Sequence, residues 1–170
     1  MKRQSTPDDW RNADRGMIPI TRFEQSLQVV KNSFEQWVRR CGARAGMIGF
    51  ASIEIEVLHI IGRAKEARRI ADICFVLNVE DTHIVTYAVK KLLKAGLVES
   101  KRSGKDALFS ITRVGGERML AYAEVKRQLL LEAAERFSEQ DIDLETLAEK
   151  MHVLASIYEK AARSAETHLT

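Results

Sequence analysis

The stretch from Ala88 to Gly115, AVKKLLKAGLVESKRSGKDALFSITRVG, constrains this chain more than any other. Val85, Ala88, Val89 and Leu92 recur at three- and four-residue steps, which predicts a helix over 82–95 with one buried face. Asp81 suits the N-cap of that helix, and Gly96 the C-cap, a place that favours a residue free to adopt positive φ. Two β-prone pieces, LVES and ALFSI, follow the glycine. In the second, Ala107, Phe109 and Ile111 alternate with Leu108 and Ser110, the period of a half-buried strand. Ser103-Gly104 is a good turn pair, so a β-hairpin is expected. Lys101, Arg102 and Lys105 crowd its tip, one step after a helix that carries Lys90, Lys91 and Lys94.

The rest of the chain reads as helix. Phe23, Leu27, Val30, Phe34, Trp37 and Val38 mark one apolar face of a helix that begins near Pro19 and is ended by Gly42 and Gly46. Ser52 suits a second N-cap, with Glu54 and Glu56 in the first turn that follows, where carboxylates complement the helix dipole. Ile53, Val57, Leu58, Ile60 and Ile61 supply its buried face, and Gly62 stops it. KEARRIADICFVLN gives a third helix with Ile70, Ile73, Cys74 and Leu77 inward. Thr112 can cap a long helix reaching about Phe137, and a last helix carries Leu147, Met151, Leu154, Tyr158, Ala161 and Ala165. Residues 1–17 have the composition of a disordered tail, and 18–170 that of a single domain.

Composition narrows the function. Hydrophobic residues make up 45% and aromatics 6%, which favours an aliphatic, helical core. No apolar run approaches the roughly 20 residues that span a bilayer, and the first residues lack an apolar signal core. No membrane partner is therefore expected, and a cytoplasmic location is. Cys41 and Cys74 lie far apart without metal-ligand spacing, so buried free thiols are expected and no metal site. Cys41 stands among Arg39, Arg40 and Arg44, cations that favour a reactive thiolate, which leaves a redox role open. No catalytic triad order, phosphate-cradling glycine loop or paired-carboxylate site stands out, so neither an enzyme nor a cofactor is expected.

Charge is uneven. Residues 63–113 carry 11 basic and 6 acidic side chains, whereas 114–170 carry 7 and 11. A basic middle suits a polyanionic partner, although it is modest enough for an ordinary solvated surface. The third and fourth helices, joined by NVED, have the length of a helix-turn-helix, whose second helix enters the DNA major groove. Opposite its buried face the fourth helix would show Thr82, His83, Thr86, Tyr87, Lys90, Lys91 and Lys94. Thr86 and His83 can meet base edges; Tyr87 and the lysines can meet phosphates. The cationic hairpin tip would lie on the neighbouring backbone, where phosphate charge supplies most non-specific affinity.

These residues resemble the MarR (multiple-antibiotic-resistance regulator) family of winged helix-turn-helix transcription regulators. KKLLKAGLVES is similar to that family's recognition-helix end and first wing strand, FSITRVG to its wing-closing Leu-Thr-x-x-Gly, and IEIEVLHIIG to the helix before the helix-turn-helix. The resemblance implies a mainly α fold with a small β-hairpin wing. A DNA-binding lobe over 50–113 would be flanked by dimerisation helices over 18–45 and 114–166. It also implies a homodimer that binds double-stranded DNA, in which Leu147, Met151, Leu154, Tyr158 and Ala161 form a seam, and a small aromatic effector. The same stripe would also serve intramolecular packing. Two departures stand out. The family's wing carries Asp-x-Arg, where this chain has Asp106, Ala107 and Leu108, and LNVED is about one residue longer than the family's turn. The missing wing arginine and the weak overall charge fit a second expectation, a winged-helix module that binds protein and no longer reads DNA.

Overall fold

The structure, a computed structural model, describes residue 9 and residues 17–104, 106–139 and 142–167. Its elements run α1 (Ile18–Arg44), α2 (Ser52–Arg63), α3 (Ile70–Leu77), α4 (Thr82–Lys94), β1 (Val98–Ser103), β2 (Asp106–Ile111), α5 (Arg113–Glu139) and α6 (Leu144–Thr167). Apart from residues 9 and 17, the expected tail over 1–17 lies outside the described residues. Among the described residues, no helix is long and apolar enough to cross a membrane. The chain divides into two compact units, one reaching Ala123 and one beginning at Glu124.

The first unit holds the buried core. Val57, Leu58 and Ile61 of α2, Ile73 of α3 and Val85, Ala88, Val89 and Leu92 of α4 are all buried, and α2 packs on both α4 and β2. Burying each of the valines, leucines and isoleucines among them stabilises the fold by roughly 1.5–3 kcal/mol, and Ala88 by less. β1 and β2 pair antiparallel from Val98 opposite Ile111 to Ser103 opposite Asp106. Arg68 adds an isolated bridge to Phe109, its N–H donating to the Phe109 carbonyl at 2.9 Å and its carbonyl accepting at 2.8 Å.

Several expectations are corrected here. Gly42 does not end α1; it is buried inside the helix, where a β-carbon would stand 2.2 Å from Ile55 Cδ1, so it lets α2 approach. α2 starts at Ser52 with Ala51 as N-cap: Glu54 reaches back and accepts the Ala51 N–H at 2.7 Å, which satisfies one of the end's orphan donors. Its buried face includes Ile55, while Ile53 and Ile60 are half-buried, and the helix runs through Gly62 to Arg63. Residues 65–69 are not helical, because Arg68 is taken by its bridge and α3 begins only at Ile70. α4 is capped at Ala95, and Gly96, at φ +68°, is the residue beyond. Ser103 belongs to β1, where it pairs with Asp106, and of the expected turn pair only Gly104, at φ +63°, lies in the turn.

The chain closes the hairpin onto α5 through Thr112. Its hydroxyl donates to the Gly96 carbonyl at 2.7 Å and accepts the Gly115 N–H at 3.0 Å, and its N–H donates to the Leu97 carbonyl at 3.1 Å. A β-carbon on Gly115 would stand 2.0 Å from that Leu97 carbonyl oxygen. The Thr-x-x-Gly spacing is thus a cap and a close approach in one. Deeper in the unit, Tyr122 is buried and its hydroxyl pKa is pushed up to about 12, by burial first and then by Cys41 and Glu56.

α1 buries only Val38, Cys41 and Gly42, and its stripe of Phe23, Leu27, Val30 and Phe34 is exposed. In the second unit α6 buries none of its residues. Asp143 starts that helix by accepting the Thr146 N–H at 3.0 Å. Leu147, Met151, Ile157 and Tyr158 are exposed along it, and Leu154 is half-buried.

Candidate nucleic-acid interface

α4 is positioned from both ends and along one flank. At its start the Asp81 carboxylate accepts the His83 N–H at 2.9 Å, a side-chain cap of the kind Asp makes well. Asn78, the C-cap of α3, is in the left-handed region at φ 52° and turns the chain toward α4; asparagine tolerates that conformation better than most side chains. The buried row Val85, Ala88, Val89 and Leu92 then fixes which face looks outward.

That outward face carries most of the expected set. Thr82, His83, Tyr87 and Lys90 are exposed, and Thr86 is half-buried at the flank. Lys91 is corrected. Its amine lies 2.7 Å from Glu54 Oε2, donates to the Gly49 carbonyl at 2.8 Å and sits 5.0 Å from the centre of the Phe50 ring. Glu54 is only 3% exposed, so the lysine is drawn toward a buried carboxylate and away from the exposed row. Sequence spacing missed this pairing, because the partners are 37 residues apart.

On the hairpin, Lys101 and Arg102 are exposed, opposite Leu108 and Ala107 respectively, and Lys105 lies outside the described residues. A further arginine joins the region. Arg69 donates to Asp72 at 2.9 Å, which holds that carboxyl below its ordinary range, and its guanidinium also lies 4.0 Å from Asp106. The start of β2 is thereby tied to the start of α3. The Arg-x-x-Asp spacing at 69–72 was the one sequence signal for half of this link. Among the described residues no three His, Cys, Asp or Glu side chains gather as a metal site. Cys41 and Cys74 are buried free thiols, as the spacing suggested.

A helix with an exposed polar and cationic row, next to an exposed basic hairpin, is the arrangement a duplex can receive. Residues 50–115 match the family model of the winged helix DNA-binding domain. No curated protein sequence matches the chain. Solved structures do. A MarR family transcription regulator aligns over 87% of this chain and 95% of its own at TM-score 0.68 and 14% identity. Reduced AbfR bound to DNA aligns over 84% and 99% at 0.66 and 17%. A mutant MarR from E. coli complexed with operator DNA aligns over 85% and 96% at 0.57 and 17%. Residues 50–115 are therefore a winged-helix domain, and the chain that carries them has the fold of the MarR family transcription regulators.

Proposed function

We propose that this protein is a DNA-binding transcription regulator that works as a homodimer. The observation that carries the reading is the two-sidedness of α4: a fully buried apolar row faces α2 and α3, and His83, Tyr87 and Lys90 stand exposed on the other side. The segment 82–95 would lie in the major groove with Thr82, His83 and Thr86 at base edges. The wing over 99–106 would rest on the flanking backbone or in the minor groove through Lys101, Arg102 and Lys105. Two structures of the same fold are bound to DNA, which supports the docking mode.

Residues 50–113 form the DNA-binding lobe of this reading, and 18–45 with 114–166 the dimerisation helices. Support comes from the exposed apolar stripes on α1 and α6, Phe23 to Phe34 and Leu147 to Tyr158, with Ala161 continuing the second. Such stripes are costly in water and belong in an interface. A small aromatic effector, implied by the family resemblance, belongs to the same reading.

The experiment is selection of bound duplexes from a random pool, followed by titration at two salt concentrations. A preferred near-palindrome with half-sites roughly 34–36 Å apart is expected. Two observations favour a second reading, a winged-helix module that binds protein: Lys91 is engaged internally and the wing has no Asp-x-Arg arginine. Salt-independent or absent binding to every duplex would decide for that reading.

A further inference from the structure

Ile84 does not fit the polar character of the face it stands on. It lies in the first turn of α4, one residue after His83 and one helical turn before Tyr87, yet it is 46% exposed and Tyr87 is 69% exposed. The buried row of this helix is complete without it: Val85, Ala88, Val89 and Leu92 are at or below 1% exposure. An isoleucine here gains little from the fold, and its exposed carbons are unfavourable in water. Ile84, Tyr87 and Lys91 follow one line along the helix, at steps of three and four. With Lys91 withdrawn to Glu54, that line offers apolar surface where charge was expected.

We infer that Ile84 reads thymine, by packing its side chain against the 5-methyl group in the major groove. The inference rests on the DNA-binding reading above. Within a major groove the thymine methyl is the one apolar group that a base edge presents, so it is the matched target for an aliphatic side chain. The residues of a recognition helix that reach base edges are those of its N-terminal part, and Ile84 is the third residue of α4. Helix geometry puts Tyr87 beside it, so the tyrosine ring can shield the methyl group from water on one side. Thr86, on the opposite flank of the exposed face, remains free to hydrogen-bond a neighbouring base.

The test uses the full-length protein and the duplex chosen by selection. Each thymine of a half-site is replaced in turn by deoxyuridine, which deletes only the 5-methyl group. One position, or two adjacent ones, should weaken wild-type binding about fourfold per methyl removed, the effect of withdrawing one buried carbon. Ile84→Ala should bind thymine and uracil duplexes equally. Ile84→Val keeps the branched carbon and should retain most of the discrimination. Because Ile84 is half exposed, both variants should melt like wild type, and that is measured first. If no uracil position weakens wild type, or if Ile84→Ala keeps the full fourfold effect, Ile84 does not read the methyl. A wild type that prefers no natural duplex removes the DNA reading itself, and this is seen before any uracil is introduced.

Discussion

Lys91 Nζ lies 2.7 Å from Glu54 Oε2, and the same carboxylate oxygen accepts the Ala51 N–H at 2.7 Å. One buried acid therefore fastens α4 to the N-cap of α2, and the lysine reaches the loop before α2 through the Gly49 carbonyl. Removing one partner of a fully buried pair costs about 3–5 kcal/mol. Here the Lys91 side chain is 36% exposed, so Lys91→Met should cost less, about 2 kcal/mol after screening by solvent. Adding Glu54→Gln to that variant should cost less than the sum of the two single changes. Urea unfolding of the four proteins measures the coupling; additive effects would mean that the pair contributes nothing. The DNA salt slope of Lys91→Met should match wild type, since this amine is engaged by Glu54.

Two neighbouring glycines should respond in opposite directions. Gly115→Ala drives a β-carbon against the Leu97 carbonyl, and backbone cannot swing aside as a side chain can. A destabilisation of about 1–3 kcal/mol is expected, as for other overpacked sites. Gly116 has nothing within 4 Å of its would-be β-carbon, so Gly116→Ala should stabilise α5 by about 0.5–1 kcal/mol through helix propensity. Thermal melts of the two variants, expected to move to opposite sides of wild type, check both.

Assembly is tested on α6. Leu154→Arg places a charge in the apolar stripe of Leu147, Met151 and Tyr158 and should yield monomers or aggregates. Wild type should scatter light as a particle near twice 19.3 kDa. An unchanged dimer mass in the variant would move the interface elsewhere.

Reading sequence and holding backbone are separable. Lys101→Ala with Arg102→Ala should weaken binding to every duplex and flatten the salt slope by roughly 0.9 for each phosphate that a subunit no longer neutralises. Thr86→Ala should cost about 1–3 kcal/mol at the preferred site and little on scrambled DNA. Titrating both variants on selected and scrambled duplexes distinguishes the two roles. Equal weakening by Thr86→Ala on both would show that its hydroxyl reaches no base.

Glu56 gives the fold a pH dependence. Burial raises its carboxyl pKa, nearby Glu35 raises it further, and Lys31 works against both. Because the folded-state pKa lies above the unfolded one, ionised Glu56 weakens the fold, and this cost fades as pH falls through the raised value. Glu56→Gln should therefore be more stable than wild type at pH 7. The gain should vanish below pH 4.5, where both side chains are neutral. Denaturant midpoints at pH 7 and pH 4 provide the comparison.

The sequence by itself determined the order of elements, the cap at Asp81, the buried row of α4 and the hairpin behind Gly96. Each of these is a local matter: a 3.6-residue or two-residue period, or a side chain meeting backbone within three positions. The tertiary structure decided which flanking residues stay outside. Lys91 and Lys90 are adjacent and equally cationic, yet Lys91 is the one that meets a carboxylate carried by α2. Periodicity also marked the stripe from Phe23 to Phe34 as apolar without saying whether it would be buried, and those residues are exposed. Gly42 and Gly115 looked like a helix stop and a motif letter, and both are places where another segment comes too near for a β-carbon. A period fixes which residues share a face. What stands against that face is fixed only when distant segments pack, and that is where the site's charges were sorted.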